Sequence, residues 1–157
     1  MKLILILMIF LISVINAQEL KVKANKFNAD EKAGVSIFEG DVNMIKGYDE
    51  LNATKVTIYT NKKHQPIKYI AKGNVSFKLK TKKGSVYKGV AGKVIYLPNL
   101  KEYHFFKNVY LQQIDQKKEI LGDEVVLKMT EGKAYAKGVK TEPVIMIFDM
   151  PKDKEEQ

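Results

Sequence analysis

Two short elements alternate along the chain, and their spacing constrains the fold more than any other feature. AKGNVSFKL at 71–79 is echoed by FEGDVNMIK at 38–46, by FKNVYLQQI at 106–114 and by a clipped AKGVK at 136–140. The valine of this element stands at 42, 75 and 109, with Val139 in the clipped copy. Between the copies lies a second element: KANKFNAD at 23–30, NATKVTIY at 52–59, VAGKVIYL at 90–97 and LGDEVVLK at 121–128. Its small residue is Ala24, Ala53, Ala91 or Gly122, and an apolar residue follows three positions later each time. Each unit of roughly 30–35 residues is a strand pair joined by a polar turn. One such pair cannot bury its apolar face alone and must stack on its neighbours. Lys107 stands where Gly40 and Gly73 do in the other copies, which weakens the signal for a bulge or tight bend at that copy.

Period-two alternation runs throughout, and helical periodicity is almost absent. VSFKL places Val75, Phe77 and Leu79 on one face and Ser76 and Lys78 on the other. ATKVTIYT, GKVIYLP and DEVVLKM follow the same pattern and are rich in β-branched and aromatic residues. Turn clusters at 30–34, 46–50, 60–66, 81–85, 97–99 and 130–132 separate the strands. The chain is predicted to be all-β.

The first residues set the compartment. Lys2, an uncharged apolar run from Leu3 to Ile15, and then Asn16-Ala17 form a secretory signal peptide, cleaved after Ala17. The run falls short of the about 20 apolar residues of a spanning helix, and no Cys follows that a lipid could modify. This reading divides the chain into a leader at 1–17, one β domain at 18–150 and a polar tail at 151–157. The formal charge is +9, and all 27 basic residues are lysines. Without Arg there is no forked guanidinium for bidentate phosphate or base recognition, and the positive field is diffuse.

With the small residues and Gly-Asp/Asn-Val motifs in register from about 19 to 140, the chain resembles the OstA-like/LptA family of lipopolysaccharide transport proteins. The resemblance rests on Ala24-Asn25, Gly40-Asp41-Val42, Ala53-Thr54, Gly73-Asn74-Val75, Ala91-Gly92, Asn108-Val109 and Gly122-Asp123. It implies a β-jellyroll of two antiparallel sheets opened into a V around an apolar interior. It also implies a periplasmic protein that bridges inner and outer membranes and passes lipid A acyl chains along its groove. An LptC-like inner-membrane protein would take the N-terminal edge and an LptD-like outer-membrane protein the C-terminal edge.

The alternation assigns the inward face to Phe38, Val42, Met44, Val56, Ile58, Val75, Phe77, Leu79, Val94, Tyr96, Val109, Leu111, Val125, Leu127 and Met129. These are the expected groove residues. Met44, Met129 and Met146 suit a soft, releasing surface. Lys78, Lys80, Lys82 and Lys83 are the expected rim for a phosphorylated headgroup. The terminal strands, LKVKANKF at 20–27 with Leu20, Val22 and Ala24, and PVIMIFDM at 143–150 with Val144, Ile145, Met146 and Ile147, are expected to be open edges. Such edges invite strand addition and a head-to-tail homo-oligomer.

No catalytic constellation stands against this reading, which calls for no enzyme activity, no cofactor and no metal. There is no Cys, and His64 and His104 lie without ligand spacing. Export and the lack of a stacking-aromatic motif argue against nucleic acid. Two alternatives within reach of the same residues are an LptC-like protein that keeps residues 1–17 as an anchor, and a periplasmic β scaffold that carries no lipid. Glu50-Leu51-Asn52-Ala53-Thr54 also fits an extended bacterial N-glycosylation sequon.

Overall fold

The computed structural model describes residues 18–150, so the leader read at 1–17 and the tail read at 151–157 lie outside the described residues. Ten strands follow one another with no helix among the described residues. They are β1 (Leu20–Lys23), β2 (Lys26–Asp30), β3 (Val35–Lys46), β4 (Asp49–Thr60), β5 (Pro66–Lys80), β6 (Val86–Leu97), β7 (Glu102–Gln113), β8 (Lys118–Lys128), β9 (Lys133–Lys137) and β10 (Ile145–Phe148). β3 to β8 form an antiparallel meander. β1 and β2 both pair with β3, and β9 and β10 both pair with β8. The two sheets expected from the resemblance are therefore two halves of one ten-stranded sheet, open at both ends.

The recurring motif is what divides the sheet. Each of the five ladders joining β3 to β8 shifts register near its middle. At those points the backbone turns left-handed: Gly40 and Asp41 have φ of 79° and 47°, Gly73 and Asn74 83° and 46°, Lys107 and Asn108 67° and 50°. Gly tolerates this region because it lacks Cβ, and Asn and Asp are the other residues enriched there. A Cβ at Gly73 would also lie 2.7 Å from the Cβ of Thr54, whose hydroxyl donates to the Gly73 carbonyl at 3.2 Å. Despite the weaker signal in its sequence, the third copy bulges as well, with Lys107 held in the same strained region. Its neighbour across the ladder gives way instead. A Cβ on Gly92 would meet the Cβ of Lys107 at 2.9 Å.

The second element has its own reason. In β4, β6 and β8 the inward series runs Ala53 then Val56, Ala91 then Val94, and Gly122 then Val125, a slip of one residue from strict alternation. The bend needs that slip to keep both halves of the strand facing inward. The small residue fills the crease where the halves meet. Ala53, Ala71 and Ala91 are all buried there.

The sheet thus folds over along a crease into two limbs. One carries the turns at 31–34, 61–65, 98–101 and 129–132 and is called here the four-turn limb; the other carries those at 47–48, 81–85 and 114–117 and is called the three-turn limb. The inner faces press together near the crease into one cluster, and no polar side chain is fully buried among the described residues. Phe77 of the three-turn limb meets Phe105 of the four-turn limb with ring centroids 4.4 Å apart. Full burial of each such side chain stabilises the fold by about 1.5–3 kcal/mol.

Both edges differ from the sequence reading in extent. The stretch 20–27 is two strands, broken at Ala24-Asn25, where the Asn25 N–H donates to the carbonyls of Glu39 and Gly40 at 3.1 and 3.0 Å. The break lies at the crease, so β1 belongs to the three-turn limb and β2 to the four-turn limb. The C-terminal strand keeps only Ile145–Phe148, and the clipped AKGVK copy is the end of β9 and a turn closed by the Val139–Glu142 bridge.

Candidate functional site

Away from the crease the limbs part. A cavity of about 280 Å³ opens between them toward the N-terminal edge, lined by Leu20, Met44, Leu51, Val56, Tyr69, Ala71, Leu79, Val94, Tyr96, Tyr103 and Met129. Lys46 and Lys80 at strand ends and Lys82 and Lys101 in turns border it from both limbs, outnumbering Asp49 and Glu50 beside them. A second cavity of about 380 Å³ opens toward the C-terminal edge, against Tyr87, Leu111, Ile120, Met146 and Phe148, with Lys83 and Lys118 beside it. Met129 and Thr81 border both. The interior is therefore a slot with a solid floor at the crease and an open, cationic lip.

All the residues assigned inward face the interior, but they divide by depth. Met44, Val56, Leu79, Val94 and Tyr96 line the first cavity, and Leu111, fully buried in the packed cluster, forms part of the floor of the second. Val42, Val75, Val109, Val125, Leu127, Phe77 and Ile58 are buried in the packed cluster. Phe38 packs on the cluster beside Phe27 at the N-terminal edge, ring centroids 4.8 Å apart. Of the expected rim, Lys80 and Lys82 border the first cavity and Lys83 the second. Lys78 is exposed on the outer face, cross-strand from Glu50 and Lys88. Leu20 lines the first cavity, Val22 and Ala24 pack on the core, and Met146 lines the second cavity. Ile145 and Ile147 are half-exposed, and the Val144 side chain lies beside Gly122.

Sequence reasoning missed Leu51, Tyr69, Ala71, Tyr103 and Phe105. The signal was present in Tyr69/Ala71 and Tyr103/Phe105, which alternate like the rest. In YIA and EYHFF, however, apolar residues stand on both faces and hide the phase.

The tyrosines give the slot its polar character. Tyr69, Tyr96 and Tyr103 form a ladder with ring centroids 5.8 and 4.3 Å apart. Burial pushes all three phenols up, and the Asp49 carboxylate adds to this at Tyr96 and Tyr103. They are protonated donors at neutral pH. Burial likewise raises Asp49, against the Lys80 N–H that donates to its Oδ1 at 2.8 Å and the nearby Lys46 ammonium. On the outer face, His104 contacts Glu102 at 3.1 Å, and no group of three or more His, Cys, Asp or Glu side chains placed to hold a metal occurs among the described residues. Asn52 of the sequon is exposed in mid-strand, its side chain accepting from Asn43 at 2.8 Å and donating to Ser76 at 3.3 Å.

An open jellyroll with an apolar slot, a row of phenols inside it and lysines at its lip has the chemistry of an amphiphile-binding β module. Residues 21–133 match the family described as LptA/(LptD N-terminal domain) LPS transport protein, and the chain belongs to that family. The fold is similar to that of LptH from Pseudomonas aeruginosa, described as the LptA-homologous periplasmic component of the lipopolysaccharide transport device, with a TM-score of 0.75. The two sequences are 19% identical, and the match covers 85% of this chain and 96% of the LptH chain. No curated protein matches the chain.

Proposed function

We propose that this protein works in the periplasm as a segment of a lipopolysaccharide bridge, holding lipid A acyl chains in the slot while the phosphorylated headgroup rides along the lysine lip. The observation that carries the reading is the cavity of about 280 Å³ between the limbs, apolar within and bordered by Lys46, Lys80, Lys82 and Lys101. Each methylene moved from water into the slot contributes about 0.8 kcal/mol. Partial burial of several chains therefore retains a lipid without a specific lock. Lysines, as flexible point charges, hold phosphate without fixing its orientation, which suits a cargo that must move on.

Bridge assembly would run through the edges. β1 and β10 both have four residues and lie in the three-turn limb; β2 and β9 both have five and lie in the four-turn limb. β1–β2 run toward the four-turn tips and β9–β10 run the opposite way. The C-terminal edge of one copy would thus extend the N-terminal edge of the next as a continuous antiparallel sheet, with the slots aligned. An LptC-like partner would occupy the first N-terminal edge and an LptD-like partner the last C-terminal edge. Exposed β10 is apolar on both faces, with Ile145, Met146, Ile147 and Phe148 all about half-exposed. That is a strong motive for strand addition.

The test is a photo-crosslinker in living cells. Placed at Leu51 or Tyr96 in the slot it should capture lipopolysaccharide, and placed at Lys78 or Tyr110 on the outside it should not. Equal capture on both faces rules the slot out as the path. For assembly, alternate N–H groups of an edge strand point away from its sheet. One of Ile145→Pro and Met146→Pro therefore removes an outward donor and should abolish self-association. If both variants still associate and support export, the C-terminal edge is not the joint.

A further inference from the structure

The outer face of the four-turn limb carries a feature that lipid transport through the slot does not use. Cross-strand partners Ile37, Thr57, Ile70, Ile95, His104 and Val126 form one row over β3 to β8. Each is next in sequence to a residue of the inner face, such as Phe38, Val56, Ala71, Val94, Phe105 and Val125, so each points outward. All ten strands belong to the one sheet, so the row is partly buried only by its own in-sheet neighbours, with no further strand or helix over it among the described residues. The corresponding row of the three-turn limb begins Asn43, Asn52, Ser76 and becomes apolar only from Val90.

The apolar row has a margin that is cationic at its centre, over β4 to β6, with Glu39 and Glu124 further along the same crease-side row and Glu102 paired with Lys128 on the tip side. Lys55, Lys72 and Lys93 are cross-strand neighbours at the crease side. Like charges directly opposite destabilise a sheet, so this run costs the fold stability that an anionic partner would restore. Glu39 pairs with Lys55 at 2.8 Å, while Lys72 and Lys93 have no carboxylate within salt-bridge distance among the described residues. The Lys93 ammonium lies 5.4 Å over the Phe106 ring, and on the tip side Lys68 lies 4.9 Å over the Tyr59 ring. Stems along apolar surface with heads at its border is the snorkelling arrangement of interfacial lysines.

We propose that this face docks on an anionic lipid bilayer, the aliphatic row against the acyl boundary and the lysines among the headgroups. Charge decides the occupant. A second copy seated on the same face would bring the Lys55–Lys72–Lys93 run toward itself, on a chain already at +9, whereas an anionic surface neutralises it. The face is also several strands wide, which matches a surface better than a small ligand.

The experiment is flotation of the chain from Gln18 onward, which contains all ten described strands, with lipopolysaccharide-free vesicles. Vesicles of equal parts phosphatidylethanolamine and phosphatidylglycerol should carry the protein, less so at high salt, and phosphatidylcholine vesicles should not. Lys72→Gln and Lys93→Gln, both at surface positions that leave the fold intact, should each lower binding about fivefold. Ile70→Asp with Ile95→Asp should abolish it, and Asn52→Asp on the other limb should leave it unchanged. Failure to float with anionic vesicles, or unchanged binding by the lysine variants, overturns the proposal. So does loss of flotation on Leu51→Asp, which would mean that phospholipid enters the slot. A dimer in sedimentation that Ile70→Asp with Ile95→Asp dissolves and the lysine variants do not, without vesicle binding, would instead assign the face to a second copy.

Discussion

The two limbs share six long strands, one crease and one interior, yet they meet solvent differently. On the three-turn limb, Asn43, Asn52 and Ser76 join side chain to side chain across β3, β4 and β5, with Glu50 accepting from Asn43 at 2.9 Å. On the same strands of the four-turn limb stand Ile37, Thr57 and Ile70, with Ile95 continuing the row on β6. The inner faces are alike because both must bury against each other. The outer faces are free to differ, so they report on surroundings and not on folding. The inner face itself divides between a closed floor and an open lip, and both contrasts can be tested by substitution.

The largest effect is expected from a carboxylate placed first in the floor and then at the lip. Leu111 is 1% exposed. Losing such a leucine alone costs about 2–5 kcal/mol, and an unpaired buried charge costs more, against a total stability of about 5–15 kcal/mol. Leu111→Asp should therefore yield no folded protein by circular dichroism. Phe77→Glu should behave likewise, since Phe77 is 5% exposed beneath the cavities. Leu51→Asp borders the cavity, where the carboxylate reaches water, and should melt as a folded protein yet lose lipopolysaccharide crosslinking at least tenfold. Identical behaviour of the Leu111 and Leu51 variants would erase the distinction between floor and lip.

This division is also where the sequence stops being legible. Alternation such as VSFKL on the three-turn limb reveals which residues face inward. It cannot reveal how far the limbs separate, and that separation decides whether Val109 is core and Tyr96 is lining. The repeats are readable as repeats. Their meaning, paired left-handed residues in β3, β5 and β7 facing a phase slip in β4, β6 and β8, follows only from strand pairing. Lys107 misled for the same reason. Glycine marks such a bend in sequence, but neighbouring bulges can force a lysine to follow it.

A smaller effect separates the outer faces. Ile95 packs cross-strand on Ile70 and His104, and such pairs contribute about 0.2–1 kcal/mol each. Ile95→Ser should lower stability in urea titration by about 1 kcal/mol or less. Ser76→Ile, on the three-turn limb, should be neutral or slightly stabilising, because it adds a β-branched residue to a strand face. A cost of several kcal/mol for Ile95→Ser would mean that the row is core, covered by a partner, and not an exposed face.

The lip has a pH signature. Burial raises the Asp49 carboxyl above its ordinary value in the folded protein. A raised carboxyl binds more protons folded than unfolded, so its contribution to stability is greatest at low pH and is lost as pH rises through the folded value. Asp49→Asn keeps an acceptor for the Lys80 N–H and removes the ionisation. It should raise the melting temperature at neutral pH and flatten this component of the pH profile above about 4. A variant less stable than the parent at pH 7 would mean that the Lys46 ammonium outweighs burial at this site.

The smallest effect lies at the crease that both limbs share. Lys107 holds φ 67° where the two earlier copies have glycine. Left-handed backbone costs a residue with a Cβ about 1–2 kcal/mol, while glycine adds about 0.5–1 kcal/mol of unfolded-state entropy. The first term exceeds the second by a little, so Lys107→Gly should stabilise by about 0.5 kcal/mol. The Gly92 backbone, no longer facing the Lys107 Cβ, would then accept Gly92→Ala better than the parent does. Thermal melts of the two single variants and the double variant measure that coupling. If Gly92→Ala costs the same in both backgrounds, the Lys107 side chain is not what keeps that position a glycine.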